Sequence, residues 1–339
     1  MKFHHIAAPL FALAILIAPL AVPTTVVAQK KDPGAKLAAA ADLPAVIWKD
    51  PGDIGSLNLT YGIGGQAHAP GPASTYTFVK EDTAASSPKF DIVDDKGVAW
   101  KVKLGQEPQS ETAATRLLWA AGYLVDEDYY TAELTVRDLP KLNRGQNYVS
   151  GGVVHGARLE RKATGGKKLG NWSWFDNPLT GSRELNGLRV MMSLINNWDL
   201  KDVNNSIYEV AGERRYVISD VGATFGNTGN AFTRSKGNPS DFEDSKFIAK
   251  TSPDSIDFVL HSRPFFLGAV EPGNYIDRSK MEGITKHIPR ADAKWLGQRL
   301  SLLSDAQIRD AFRAAGYGSA DVETLTGVIQ RRIAALKAL

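Results

Sequence analysis

Hydrophobic and polar residues alternate in three short stretches of the first half of the chain, at 75–79, 89–93 and 98–104. A period of two predicts half-buried β-strands, because successive side chains of a strand point to opposite faces of the sheet. The run Asp-Asp-Lys-Gly at 94–97 is a turn signal between the second and third stretches. Three strands joined by short connections predict an antiparallel meander.

The pattern changes to that of a helix after the third strand. Residues 112–121 are predicted to be helical, with Ser110 as the N-cap and Glu111 in the first turn, where the helix dipole favours an acidic side chain. Gly122 is predicted to end this helix as a C-cap.

The same signals predict the elements of the second half. Ser182 is a predicted N-cap, because leucine, methionine and isoleucine residues follow it at helical spacing. The polar stretch 227–244 is predicted to be a loop. The other predicted elements are strands at 132–136 and 153–160 and a hairpin at 206–210 and 215–218. Helices are predicted at 305–315, where Ser304 and Gln307 form a capping box, and at 321–338.

The N-terminal segment has the pattern of a signal peptide. A short basic start precedes an apolar run at 6–22 that prolines interrupt, and small residues at 26–28 form a plausible cleavage point. We interpret residues 1–28 as a signal peptide, with an uncleaved membrane anchor as the alternative. Cleavage would leave no stable membrane span and would place the protein in the periplasm or outside the cell. Residues 29–72, rich in Ala, Gly and Pro, are predicted to form an irregular arm with one short strand at 57–61.

Charge and composition narrow the possible functions. The 339 residues include 40 Lys and Arg against 37 Asp and Glu, a formal net charge of +3. This balance lacks the strongly basic character that nucleic-acid binding usually needs, so no nucleic-acid partner is expected. The chain has no Cys, which excludes disulfides, a thiol nucleophile and thiolate metal ligands. Any metal must therefore have oxygen or imidazole ligands.

Two motifs with acidic residues flank the predicted hairpin. The first reads Asp-Leu-Lys-Asp-Val-Asn at 199–204, and the second reads Asp-Val-Gly at 220–222. The first resembles the catalytic loop of eukaryotic-type protein kinases, and the second stands where their metal-binding Asp-Phe-Gly would stand. The Ser-Ser-Pro-Lys-Phe run at 86–90, and Lys103 followed by Glu111, are similar to HipA-type and phosphoinositide kinases. The resemblance covers roughly residues 75–225.

This resemblance implies an atypical protein-kinase-like fold of the α+β class with two lobes. An antiparallel-sheet N-lobe would comprise residues 73–165. A mainly helical C-lobe with C-terminal helices would comprise residues 166–339.

The resemblance also implies a binding site for ATP with Mg²⁺ or Mn²⁺. Lys103 would contact the inner phosphates and would be oriented by Glu111. Lys101 lies on the same face of the predicted strand, so the alternation alone leaves open which lysine has this role. Asn204 and Asp220 would bind the metal, which prefers oxygen ligands.

The implied catalytic residues are Asp199, which would act on the acceptor hydroxyl, and Lys201, which would neutralise charge on the transferred phosphoryl group. No Gly-x-Gly-x-x-Gly precedes the second strand, so phosphate contacts are assigned instead to Thr83, Ser86 and Ser87.

The chain departs from the kinase pattern at other positions. Trp198 replaces the basic residue expected before the catalytic Asp, and Val221 replaces Phe. No Ala-Pro-Glu ends the activation segment, so activation by phosphorylation has no support. Gly62-Ile63-Gly64-Gly65 lies too early to bind phosphate and is interpreted as a turn of the arm.

The leading hypothesis is an exported, ATP- and Mg²⁺-dependent phosphotransferase that acts on a hydroxyl of a protein, glycan or other surface acceptor. The alternatives are a catalytically inactive kinase-like binding or scaffold protein and a nucleotidyl transferase on the same fold. Trp172 and Trp174 are predicted to pack in the core, with a carbohydrate-binding platform as the alternative reading.

Overall fold

The computed structural model describes residues 33–71, 74–84, 87–162, 165–228, 234–260 and 279–339. The predicted signal peptide and Ser86 lie outside the described residues. The described part of the chain from residue 33 onward belongs to one unit.

The N-lobe is built on a sheet that closes on itself. The predicted meander is present as β2 (Tyr76–Asp82), β3 (Lys89–Asp94) and β4 (Ala99–Lys103), after the short β1 (Ala45–Val46). The later strands of this sheet are β5 (Asp128–Arg137), β6 (Val149–Ser150) and β7 (Val153–Arg161). Their order is β4-β3-β2-β5-β7-β6, and β4 also pairs with β7. Because β2 and β5 are joined by a short parallel pairing, five strands form a closed ring.

The inside of this ring is the hydrophobic core of the N-lobe. Phe90 faces Val102 across the β3–β4 pair, Val102 faces Leu159 across the β4–β7 pair, and all three are buried. Since side chains alternate along a strand, Lys101 and Lys103 lie on the opposite face of β4. The hydrophobic pattern of these strands therefore directs both lysines to the outer face of the ring.

The helix after β4 begins earlier than predicted. The structure has α1 (Pro33–Ala39) and α2 (Gly65–His68) in the arm, and α3 (Pro108–Ala120) follows β4. The N-cap of α3 is Glu107, so the prediction of Ser110 as N-cap is wrong. Pro108 fits the first helical position because proline has no backbone N–H to leave unpaired there. Ser110 instead donates its hydroxyl hydrogen to the carbonyl oxygen of Gly222 at 2.6 Å, which joins α3 to the second acidic motif.

The C-lobe combines a small sheet with packed helices. Its strands are β8 (Lys167–Gly170), β9 (Asn205–Val210), β10 (Glu213–Ile218), β11 (Ile248–Thr251), β12 (Ser255–Phe258) and β13 (Ile288–Pro289). Its helices are α4 (Arg183–Leu194), α5 (Pro239–Glu243), α6 (Arg290–Leu300), α7 (Asp305–Ala314) and α8 (Ser319–Lys337). Ser182 caps α4 by accepting from the Leu185 N–H, as predicted. The predicted capping box of Ser304 and Gln307 begins α7. The sheet order is β1-β10-β9-β8, so the arm supplies one edge strand.

Two local predictions are wrong. No strand lies at 57–61, because this part of the arm is held by Gln307, whose side-chain amide donates to the carbonyl oxygens of Ile54 and Leu57. The stretch 227–244 is not entirely a loop, since α5 begins after the Asn238 cap.

Trp172 and Trp174 are buried and contact each other edge to face, with ring centroids 4.8 Å apart. Core packing is therefore confirmed for these rings, and they offer no exposed platform for carbohydrate. Within the described ranges, no helix has the length and apolar character that crossing a membrane requires.

Candidate active site between the lobes

Lys103 is the centre of an ion cluster between the N-lobe and the C-lobe. Its Nζ lies 2.9 Å from Glu111 Oε2, 2.7 Å from Asp220 Oδ1 and 2.5 Å from Glu107 Oε2. The side chain is only 1% exposed. Burial by itself would lower the pKa of Lys103, but the three carboxylates raise it above its ordinary value. Lys103 is therefore a buried, permanently charged ammonium group.

Lys101 has a different environment although it shares the face of β4. Its Nζ lies 3.4 Å from Asp82 Oδ2, and its side chain is 30% exposed. The structure thus brings Lys103, and not Lys101, together with Glu111 and Asp220. The environments of the two lysines differ because, on the paired strand β7, Lys103 lies opposite Arg158 and Lys101 lies opposite Glu160.

Glu111 is held by a second cation that sequence analysis missed. Arg158 NH1 lies 3.3 Å from Glu111 Oε1 and 2.9 Å from Asp128 Oδ1, while its NH2 lies 2.9 Å from Glu160 Oε2. Burial raises the pKa of Glu111, and Arg158 and Lys103 oppose this rise. Period-two alternation indicates only that Arg158 and Glu160 share a face of β7, and the pairing with β4 then places them beside the lysines.

Glu107 is the other residue that sequence analysis missed. It accepts from the Ser87 hydroxyl at 3.2 Å and forms ion pairs with Lys103 and with Lys236. Burial would raise the pKa of Glu107, but Lys103 and Lys236 together lower it to about 2. The sequence signal was its position just before Pro108, four residues after Lys103. An acid at the start of a helix is ordinarily explained by the helix dipole, so this signal alone is weak.

The cluster contains more carboxylates than cations. Glu107, Glu111 and Asp220 each place an oxygen within 4.8 Å of the others, in the arrangement of a candidate metal site. Among the described residues, direct ion pairs join three cations, Lys103, Arg158 and Lys236, to five acidic residues, Glu107, Glu111, Asp128, Glu160 and Asp220. The Lys103 ammonium already lies between Glu107, Glu111 and Asp220, so a divalent cation would bind beside it at Asp220, the accessible oxygen donor of the three, which fits Mg²⁺ or Mn²⁺.

Asp220 combines a left-handed backbone with an ionised side chain. Its φ of +51° lies in the left-handed region, which Asp tolerates better than most residues and which marks functional turns. Burial would raise the pKa of Asp220, but Lys103 lowers it below its ordinary value. Its side chain is 38% exposed, so the carboxylate is both charged and accessible from the space between the lobes.

A hydrogen bond joins the two ends of the loop at 199–204. The Asn204 side-chain amide donates to the Asp199 carbonyl oxygen at 2.8 Å. The Ser219 N–H donates to the Asn204 carbonyl oxygen at 3.2 Å, which places Asn204 beside the residue that precedes Asp220. The Asp199 Oδ1 lies 2.7 Å from the Lys201 Nζ, and the Asp199 side chain is 27% exposed. The hairpin of β9 and β10 thus returns the chain so that Asn204 and Asp220 are neighbours.

The residues assigned to phosphate contacts lie in the turn between β2 and β3. Ser87 reaches the cluster through its hydrogen bond to Glu107, whereas Thr83 is exposed at the end of β2. The structure therefore brings Ser87, but not Thr83, into contact with the ion cluster.

Trp198 holds the segment that follows the second motif. Its indole N–H donates to the Ser235 carbonyl oxygen at 3.0 Å, and the Arg234 guanidinium and Lys236 ammonium lie 4.2 and 5.1 Å from its ring centroid. Cation–π contacts of this kind contribute about 0.5–2 kcal/mol each. The aromatic ring that replaces the expected basic residue thus orders this segment directly.

The Arg158 network predicts a dependence of stability on pH. Burial raises the pKa of Asp128 to about 7, against the opposing charge of Arg158. The folded protein therefore keeps the Asp128 proton, which the unfolded chain releases near pH 4. The resulting contribution to the free energy of unfolding is complete below pH 4 and is lost as the pH rises through 7. We expect the free energy of unfolding to fall by about 1 kcal/mol between pH 6 and pH 8 in urea titrations.

The matched variant for this prediction is Asp128→Asn, which keeps the acceptor oxygen for Arg158 and has no proton to lose. Its unfolding free energy should change less than that of the wild type over the same interval. Parallel pH profiles for the two proteins would contradict the assignment.

No family model and no curated protein matches the chain. The proinflammatory kinase CtkA of Helicobacter pylori is similar with a TM-score of 0.44 and 12% identity, covering 77% of this chain and 96% of that one. A Golgi casein kinase gives a TM-score of 0.33 and 10% identity over 76% and 75% of the two chains. The amicoumacin kinase hAmiN, in complex with AMP-PNP, Ca²⁺ and Ami, gives 0.24 and 12% over 78% and 88%.

The order of elements and the position of the ion cluster define the fold. A strand-rich lobe carries Lys103 and Glu111, a second lobe carries the loop at 199–204, and Asp220 lies between them in contact with Lys103. The described part of the chain has a two-lobed fold of the α+β class, and its order of strands, helix and acidic motifs is the order that the resemblance to kinases predicts.

Proposed function

We propose that this protein is an exported phosphotransferase that uses ATP and Mg²⁺ or Mn²⁺ to phosphorylate a hydroxyl group of a surface acceptor. The observation that carries the proposal is the position of the buried Lys103 ammonium between Glu111 and Asp220. Burying charged groups is costly unless they are paired, and a purely structural interface is often as stable with apolar residues. A charged cluster of this kind at the junction of two lobes supports a catalytic role.

The phosphate groups of the nucleotide would bind at Lys103. In the described part of the chain, the ion pairs of this ammonium are all with carboxylates; Glu111 and Glu107 hold it in place, while Asp220 is the accessible partner. A cavity of about 500 Å³ adjoins this region and is lined by Lys101, Glu160 and Tyr208, which offers space for the base and sugar.

The metal would be held by Asp220 and Asn204. The Asn204 amide N–H₂ is engaged with the Asp199 carbonyl oxygen, which fixes the orientation of the side chain. A bound divalent cation neutralises charge on the phosphates during transfer. Glu107 and Glu111 would keep the Lys103 ammonium in place when Asp220 binds the metal.

Asp199 would accept or orient the proton of the acceptor hydroxyl. Its carboxylate is partly exposed and is positioned by the Lys201 ammonium at 2.7 Å. Lys201 is itself more than half exposed, so it can also meet the negative charge of the phosphoryl group.

The surface beside Lys201 favours a protein acceptor. A pocket of about 320 Å³ adjoins Lys201 and has a mostly apolar wall, formed among the described residues by Phe175, Leu200, Val203, Met281 and Ile284. Val203 is 72% exposed and Phe175 is 49% exposed, which is unusual for large apolar side chains. A wall of this kind suits an apolar side chain next to the reacting hydroxyl better than a sugar, which needs hydrogen-bonding partners.

Product analysis separates the three candidate functions. The purified protein is incubated with ATP, Mg²⁺ and a library of serine- and threonine-containing peptides. A phosphotransferase releases ADP and forms phosphopeptide, whereas a nucleotidyl transferase releases pyrophosphate. Formation of neither product, together with the absence of nucleotide binding, would favour the scaffold function.

Lys103→Met and Lys101→Met form a matched pair that tests the assignment of the lysine. We expect Lys103→Met to lower phosphotransfer by at least 10²-fold, because Lys103 is the only ammonium that Glu111 and Asp220 hold among the described residues. Lys101→Met should retain activity within a few-fold. Thermal melts of both variants show whether the loss reflects unfolding, and equal activity of the two variants would contradict the assignment.

A further inference from the structure

Arg116 is a buried cation on the side of α3 away from the ion cluster. Its side chain is 2% exposed, and its Nε has no hydrogen-bond partner. Five residues separate Arg116 from Glu111, which corresponds to about 7.5 Å along the helix axis and to a different face. Arg116 therefore lies on a different face of α3 from Glu111.

The acidic residues near Arg116 make their direct contacts with other groups. Asp128 pairs with Arg158 at 2.9 Å through one carboxylate oxygen, and Glu127 accepts from the Tyr129 hydroxyl at 3.0 Å and lies 3.1 Å from His68. Within the described part of the chain, Arg116 itself has no direct ion pair and no hydrogen bond, and its guanidinium packs over the Tyr129 ring at 5.2 Å. The charges of Asp128 and Glu127 act on it only at longer range, so burial of this guanidinium is incompletely compensated.

The guanidinium faces a cavity of about 490 Å³ between the arm and the N-lobe sheet. Among the residues that line it, Thr60, Tyr61, Ser74 and Tyr130 carry hydroxyl groups, and the one acidic residue of the described lining, Glu133, has a side chain that is 73% exposed to solvent. Hydroxyl donors and tyrosine rings around a guanidinium form a suitable environment for an oxyanion attached to an aromatic group. The cavity is larger than a bare phosphate and has the size of a small-molecule site.

The arm is shaped to leave room for Arg116. Gly62 has a φ of +69°, and a Cβ at this position would lie 2.4 Å from Arg116 NH1. At Gly64 a Cβ would lie 2.3 Å from the Tyr129 hydroxyl. The glycine-rich run at 62–65 therefore does more than form a turn, because it holds the guanidinium and the Tyr129 ring at the cavity wall.

We propose that this cavity binds a small ligand in which an oxyanion, paired with Arg116, is attached to an aromatic group that lies among the tyrosine rings. The site shares no residue with the ion cluster and is independent of the proposed phosphotransfer. Since Arg116 and Glu111 belong to the same helix, a bound ligand would also stabilise the position of α3.

Thermal unfolding with phenyl phosphate as the probe tests this proposal, in a buffer free of phosphate and sulfate. We expect a saturable rise in Tm of several degrees for the wild type, whereas phenol, which has no anion, gives none. Inorganic phosphate and benzoate then show whether the ring or the type of oxyanion determines affinity. Lys103→Met should keep the response to phenyl phosphate, and Arg116→Met should lose it.

Arg116→Met also has an expected effect without ligand. Because it removes a buried charge that has no direct ion pair and keeps an apolar side chain of similar length, its Tm in the anion-free buffer should equal or exceed that of the wild type. Failure of this variant to fold would show that Arg116 has a structural partner and would overturn the proposal. A response to phenyl phosphate that Lys103→Met abolishes, or no response in the wild type at 10 mM, would overturn it as well.

Discussion

Asp220→Ala should abolish Mg²⁺-dependent nucleotide binding and phosphotransfer together. Asp220 is the accessible carboxylate of the Lys103 cluster, and its lowered pKa keeps it ionised at neutral pH. Loss of this ligand removes the metal and with it the charge that holds the phosphates. The fold should survive, because Lys103 keeps Glu107 and Glu111 as partners. Calorimetric titration and a phosphotransfer assay measure the two losses separately.

The matched control for Asp220→Ala is Asp176→Asn, which changes an exposed aspartate outside the cluster. It should bind nucleotide and turn over as the wild type does. Undiminished Mg²⁺-dependent binding by Asp220→Ala would show that the metal is held elsewhere, for instance by Glu107 and Glu111 alone.

Asp199→Asn should separate binding from chemistry. Asn is nearly isosteric with Asp, and the backbone carbonyl of residue 199 can still accept from Asn204. Nucleotide affinity should therefore stay within a few-fold of the wild type. Turnover should fall by about 10²–10⁴, the range expected for the loss of a positioned acid–base group.

The contrast between the two aspartate variants distinguishes metal binding from action on the acceptor. If Asp199→Asn turns over normally, the loop at 199–204 does not carry the catalytic base. If it loses nucleotide binding to the same extent as Asp220→Ala, Asp199 belongs to the metal site instead.

The elements that depend on local sequence could be predicted. The alternation at 89–93 and 98–104 corresponds to β3 and β4, and the caps at Ser182 and Ser304 begin α4 and α7. These features depend on side chains and backbone groups within a few residues of each other. Ser110 shows the limit of such signals, because the proline at 108 offered an equally good start for the helix.

The parts of the site that depend on strand pairing could not be predicted. Alternation puts Lys101 and Lys103 on one face, and only the position of α3 and the pairing of β4 with β7 distinguish them. Arg158 lies 47 residues after Glu111 in the chain, so its contact with that carboxylate follows from the packing of α3 against the closed sheet. Glu107 could be recognised as a cap, but its ion pair with Lys236 joins residues 129 positions apart.

Calorimetric titration of the purified protein with a non-hydrolysable ATP analogue, with and without Mg²⁺, tests the central claim most directly. The geometry of Lys103, Asn204 and Asp220 predicts saturable binding below the millimolar range that requires Mg²⁺ or Mn²⁺ and disappears in Asp220→Ala. Absence of binding by the wild type at millimolar nucleotide with either metal would contradict the claim and favour a scaffold function.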